Sequence, residues 1–155
     1  MGFGALSVKG RALRYLAQRE HSRVELERKL ARYVEDQPEA TARQQITAAL
    51  DELAAKGLLS DQRTADSVLS GQGARYGSRR LKQTLQTKGL PAALISSTLQ
   101  QARATELERA REVWRRRFGM PAEDAAGRAK QMRFLAGRGF DGDVIRRVVQ
   151  SVDED

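Results

Sequence analysis

Helix-boundary signals recur along this chain at a nearly fixed interval, and the recurrence restricts its possible folds more than any other feature. Leu85, Gly89, Leu90, Leu94, Ile95 and Leu99 align at a constant offset of 50 with Leu135, Gly139, Phe140, Val144, Ile145 and Val149. In both stretches a glycine suited to a helix C′ position is followed by a new amphipathic run. Other anchors fit the same cycle. Ala12, Ala65 and Ala110 are followed by Tyr15-Leu16, Val68-Leu69 and Val113-Trp114, and Ile46, Ile95 and Ile145 by Leu50, Leu99 and Val149.

The intervening residues read as start and stop signals. Ser22 with Glu25, Thr41 with Gln44, and Thr105 with Glu108 have capping-box spacing. Asp61, Ser78 and Asp141 are placed as N-caps, Pro91 suits a first helical position, and Gly57 suits a C′ position. The second helix is expected to bury Leu26, Leu30 and Tyr33. Ala, Glu, Lys, Leu and Arg make up half of the 155 residues, Ile occurs only 3 times, and no segment alternates like a strand.

The expectation is therefore an all-α protein of nine helices in three tandem three-helix repeats. The repeats span 8–60, 61–104 and 105–155, after a flexible N-terminal arm, Met1–Ser7. Units this small lean on their neighbours, so the chain reads as an elongated array, straight or curved. Such a surface suits binding along a groove or filament.

Charge narrows the partner. The chain carries 28 basic against 20 acidic residues, a net +8, and 22 of the bases are Arg. The excess is distributed as +2, +3 and +3 over residues 1–60, 61–108 and 109–155, which fits an extended anionic partner. Arg75, Tyr76, Arg79, Arg80 and Lys82 cluster around a helix start, where bases oppose the helix dipole and so are not there for helix stability. Arg133, Arg138, Arg146 and Arg147 load the third repeat. Arg115-Arg116-Arg117 falls at a helix end, where cations suit the dipole, so a purely structural role competes there with binding.

Other chemistry is poorly supplied. Cysteine is absent and His21 is the single histidine, which removes disulfides, thiolate chemistry and Cys- or His-pair metal sites. Asp51-Glu52 and Glu123-Asp124 are adjacent on helices and point apart, so they make no carboxylate dyad. Gly71-Gln72-Gly73-Ala74-Arg75-Tyr76-Gly77 lacks the spacing of a phosphate loop and reads as an interhelical linker that needs positive φ. No apolar run reaches membrane-spanning length and no signal peptide opens the chain, so a soluble, cytoplasmic, non-enzymatic monomer without cofactor or metal is expected. Third helices with Gln44, Gln45, Ser96, Ser97 and Gln100 are too inconsistent for base readout. Phosphate-directed binding by a stand-alone nucleic-acid-binding repeat protein stays open as an alternative.

Several junctions resemble one family. They are Ala12-Leu13-Arg14-Tyr15-Leu16 with Arg19-Glu20-His21-Ser22, Glu25-Leu26 and Lys29-Leu30; Leu53 with Gly57-Leu58-Leu59-Ser60-Asp61; Tyr76-Gly77-Ser78-Arg79-Arg80-Leu81 with Leu85 and Gly89-Leu90; and Phe134-Leu135 with Arg138-Gly139-Phe140-Asp141 and Val144-Ile145. In this order, over residues 8 to 151, they resemble the RecX family of bacterial regulatory proteins. That family often has Pro where Ser78 stands, and either residue starts a helix. The resemblance implies tandem three-helix repeats that lie in the groove of a RecA filament on single-stranded DNA. It implies suppression of RecA's ATP hydrolysis, strand exchange and coprotease activity, and so moderation of recombinational repair and the SOS response. It implies no active site. Direct DNA contact through phosphates and any further protein partner are left open by it.

Overall fold

The computed structural model describes residues 6–150, and among them it has eight α-helices and no strand. They are α1 (Val8–Gln18), α2 (Arg23–Leu30), α3 (Ala42–Ala55), α4 (Asp61–Gln72), α5 (Ser78–Thr87), α6 (Ala92–Arg117), α7 (Ala125–Gly137) and α8 (Gly142–Gln150). The all-α reading is correct. The chain forms two compact units, one of Met1–Ala65 with Thr87–Pro91, the other of Asp66–Gln86 with Ala92–Asp155.

In the first unit α1, α2 and α3 enclose Ala12, Leu26, Leu30, Ile46, Leu50, Leu53 and Leu59. Its helices start where local chemistry satisfies the first free N–H groups. Ser7 accepts from the Gly10 N–H at 2.9 Å, while Met1–Ala5 of the expected arm lie outside the described residues. Both early capping boxes form, with Ser22 and Glu25 bonded reciprocally at 3.0 and 3.1 Å, and Thr41 and Gln44 at 3.1 and 2.9 Å. Gly57 ends α3 at φ 74°, which lets Leu58 N–H bond back to the Leu53 carbonyl at 2.9 Å. Tyr33 corrects the sequence reading: α2 stops at Leu30, and the ring stands 54% exposed beneath the Arg11 guanidinium.

The junction before α2 is the polar centre of this unit. His21 is fully buried, with Nδ1 3.0 Å from the Arg19 carbonyl and Nε2 2.9 Å from Lys29 Nζ. The ammonium can only donate, so Nε2 accepts and Nδ1–H donates, which makes the ring neutral. Burial, with the nearby charges of Arg19 and Lys29, pushes its pKa below 6.5 against the opposing pull of the Arg19 carbonyl and Glu25. Burial also opposes ionisation of Glu25. The Arg19 hydrogen bond, the Ser22 N–H and the charges of Lys88 and Arg19 outweigh it and bring that pKa to about 2.

Both shifts favour the folded state at neutral pH. A depressed pKa contributes stability that is complete above the unfolded value and is lost as pH falls through the folded one. The thermal midpoint should therefore drop first below about pH 6.5, as the unfolded chain's His21 takes a proton that the folded ring, against Lys29, resists, and again from 4.5 toward 2 as Glu25 protonates. Melting curves of His21→Gln should lack the first step and those of Glu25→Gln the second. Unchanged profiles would show that neither group carries the pH dependence.

The second unit is centred on Ala110, Trp114, Leu135, Phe140, Ile145, Val148 and Val149 from α6, α7 and α8. Trp114 Nε1 donates to Gln131 at 3.0 Å, and Gln131 in turn donates to the Met120 carbonyl at 3.1 Å, which ties the α6–α7 turn inward. Asp124 accepts from the Gly127 N–H at 2.7 Å and starts α7.

Three boundaries differ from the sequence reading. The expected break at Thr105–Glu108 is absent, and α6 runs unbroken, so the nine helices expected become eight. A capping box is favourable only where something else ends the preceding helix, and residues 92–117 contain neither Gly nor Pro. Ser60, not Asp61, caps α4: its Oγ accepts from the Arg63 N–H at 3.1 Å, while Asp61 accepts from the Arg23 N–H at 2.8 Å. Ser78 is the first residue of α5 rather than its cap, and its Oγ donates to Glu106 at 2.9 Å. The 71–77 stretch also behaves differently, for none of its glycines has positive φ. Two of its glycines are required by close approach instead: an added Cβ would lie 2.2 Å from the Leu69 carbonyl oxygen at Gly73 and 2.4 Å from backbone atoms of Phe140 at Gly77.

Candidate functional site

Two side chains of α6, one buried and one half-buried, build the surface on which most of the candidate residues sit. Glu106 is 2% exposed. Its Oε1 accepts the N–H groups of Ser78 (3.1 Å) and Asp141 (3.3 Å), and its Oε2 accepts the Ser78 hydroxyl. One carboxylate thus satisfies backbone donors at the starts of both α5 and α8, where the helix dipoles favour negative charge. One turn further on, Arg109 donates to the carbonyls of Gly73 (2.6 Å), Tyr76 (2.7 Å) and Ala102 (2.7 Å) and to the Thr105 hydroxyl (3.1 Å). Burial lowers its pKa, partly offset by Glu106, and each of its three nitrogens has an acceptor. The loop carrying Arg75 and Tyr76 is therefore held by its backbone, which leaves its side chains for other work.

The start of α5 is pinned to the α7–α8 turn in the same unit. Gly77 N–H donates to the Arg138 carbonyl at 2.9 Å and Arg79 N–H to that of Gly139 at 3.0 Å. This brings two guanidiniums to Tyr76, that of Arg80 at 4.8 Å and that of Arg138 at 5.5 Å from its ring centre. Phe134 is likewise within 5.2 Å of Arg138 and 5.5 Å of Arg117, with Phe118 edge-on at 5.4 Å. Beside these rings lies a groove of about 350 Å³ lined by Ala74, Arg75, Val113, Arg116, Arg117, Phe134 and Arg138. Among the described residues, Arg75, Arg80, Arg117 and Arg138 have no carboxylate partner within 4.0 Å, while Arg116 pairs with exposed Glu112 at 3.0 Å.

The remaining candidates lie apart from this groove. Arg79 pairs with Asp141 at 3.2 Å and Arg146 with Asp143, beside a second depression that Arg103 also lines. Lys82 borders a third, with Ile95, Ser96 and Leu99. Arg133 on α7 and Arg147 on α8 are exposed and line none of these three. Arg116, Arg117 and Phe134 are the residues that sequence reasoning passed over. The triple arginine at the end of α6 was the available signal, but its fit to the helix dipole gave a competing structural reason.

Among the described residues no group of His, Asp and Glu is placed to hold a metal, and no helix is long and apolar enough to cross a membrane. Fold and surface together define an all-α protein of three-helix domains that presents arginines seated on aromatic rings. Family models for the first and third three-helix domains of RecX match residues 9–41 and 104–149. Regulatory protein RecX of Leptothrix cholodnii is 51% identical, over 97% of this chain and 92% of its own length. That of Ralstonia nicotianae is 45% identical over 96% and 89%. The crystal structure of RecX from Lactobacillus salivarius shares the fold at a TM-score of 0.76, covering 96% of both chains at 20% identity. The chain belongs to the RecX family of regulatory proteins.

Proposed function

We infer that this chain regulates a RecA-type recombinase by binding rather than by catalysis. It binds the RecA filament on single-stranded DNA and inhibits RecA's ATPase, strand-exchange and coprotease activities, which moderates recombinational repair and the SOS response. The observation that carries this reading is membership of the regulatory RecX family over nearly the whole chain. The arginine-lined groove supports it, because guanidinium forks bind carboxylates on acidic protein surfaces as well as phosphates. Division into three three-helix repeats, 8–60, 61–104 and 105–155, belongs to the same proposal, with the matches to the first and third RecX domains in its favour. Contacts spread over linked repeats sum through effective concentration, so each can be weak. The site of action is the cytoplasm, where the filament forms, and the protein acts as a monomer.

The test is ATP turnover by RecA on single-stranded DNA. Less than one copy of the protein per recombinase protomer should depress it, and unchanged turnover at saturating protein would sink the idea. Reversing Arg75 and Arg117 to Glu should raise the concentration for half-inhibition by about tenfold or more. Inhibition at the wild-type concentration would remove the groove from the contact surface.

A further inference from the structure

We propose that the groove between the 74–76 loop, the end of α6 and α7 holds the phosphodiester backbone of a single-stranded nucleic acid, and that it does so without reading the bases. The inference deepens the filament reading by assigning one surface to the strand rather than to recombinase.

Three observations carry it. The cations lining the groove are all guanidiniums, and Arg75, Arg117 and Arg138 have no carboxylate partner among the described residues. Each therefore keeps its N–H donors for an anion from outside. The aromatic rings are already taken: Tyr76 lies near Arg80 and Arg138, and Phe134 near Arg138 and Arg117. A base stacking on either ring would compete with guanidiniums already seated there, which sets these rings apart from the open stacking platforms of common single-strand binders. Their part is to seat the guanidiniums and limit their motion, which lowers the entropy lost when an anion binds. Finally, a groove of about 350 Å³ with Val113 and Phe134 in its lining has room for the phosphates and sugars of one strand.

A phosphodiester strand is favoured over an acidic protein segment because it offers evenly repeated charges to several guanidiniums at once. The rest of the basic excess would also continue to attract it as it leaves the groove. Arg79 and Arg146 serve differently. Each is paired with a carboxylate of this unit, and neither lines the groove.

The test is fluorescence anisotropy with the whole protein, without recombinase, on labelled dT and dA oligonucleotides of about 20 nucleotides. The two should bind within about threefold of each other, with affinity falling steeply as salt rises. Arg75→Gln with Arg117→Gln, both exposed, should weaken binding about tenfold and make the log–log salt slope shallower by about 1.4. Arg116→Gln with Arg138→Gln should do the same, while Arg79→Gln with Arg146→Gln should change affinity less than about twofold. Circular dichroism melts establish that each variant is folded. Equal losses from the groove and control pairs would overturn the site. A strong preference for dA would overturn base-blind binding in favour of stacking. Competition by a poly-Glu peptide at matched charge would make acidic protein the occupant, and equal affinity for duplex would remove the single strand. Because recombinase is absent, failure here leaves inhibition of its ATPase to be judged separately.

Discussion

Replacing Gly77 with Ala should destabilise the second unit by more than about 3 kcal/mol, a loss expected only from a few mechanisms, of which backbone collision is one. The new Cβ would stand 2.4 Å from both Cα and N of Phe140 and 2.5 Å from the carbonyl carbon of Gly139. These are main-chain atoms, so no rotamer change can clear them. Relief requires the start of α5 to move off the α7–α8 turn. That movement would break the Gly77–Arg138 and Arg79–Gly139 hydrogen bonds and uncover Phe140, which is 1% exposed. Gly139 permits the same approach from the other side, at φ 85° and with its own Cβ position 2.6 Å from that of Arg80. Gly137→Ala is the control, because nothing lies within 4 Å of its Cβ position. Thermal denaturation should show a large loss for the first variant and little or none for the second. A loss below about 1 kcal/mol at Gly77 would mean that the turn can shift without breaking its bonds.

Glu106→Ala should cost a comparable amount, about 3–5 kcal/mol. Two backbone N–H groups and a hydroxyl, at Ser78 and Asp141, would lose their acceptor inside the protein. Each unmet donor costs about 1–3 kcal/mol, and both helix starts would also lose a negative charge. Glu106→Gln separates these effects. Its carbonyl can still accept the two N–H groups, and its amide can donate to the Ser78 oxygen, so mainly the charge is removed. Its loss should be about 1–2 kcal/mol. Chemical denaturation at neutral pH reads both values. Equal losses would make charge the larger part, and a small loss for the alanine variant would show that water can replace the carboxylate.

The two substitutions divide the molecule along the line between local and long-range information. Ser22-Glu25, Thr41-Gln44 and Gly57 were readable because each acts on a backbone group three to five residues away. The all-α class follows from the same local rules and from the amphipathic stripes that supply both cores. The Thr105–Glu108 spacing shows where such rules stop. It satisfies the pattern of a cap, yet α6 passes through it, and two residues of the segment face inward as Glu106 and Arg109. Glu106's partners, and the Gly73 and Tyr76 carbonyls that Arg109 holds, lie about 30 residues away in the sequence, beyond the reach of any spacing rule.

The candidate site divides in the same way. Arg75, Tyr76, Arg80 and Arg138 were identified from their sequence neighbours, and the fold gathers them with Arg116, Arg117 and Phe134. Arg79 and Arg146 came from the same clusters but meet carboxylates instead. Charge and composition determine that the surface is rich in arginine, because side chains that cannot be buried must remain at the surface wherever the helices lie. Which guanidiniums converge on one groove, and which are neutralised by a neighbour, was decided only when α5, α6, α7 and the α7–α8 turn packed together. A long side chain's partners depend on the relative positions of helices far apart in sequence, and those positions follow from core packing and from the close approach that Gly77 and Gly139 allow.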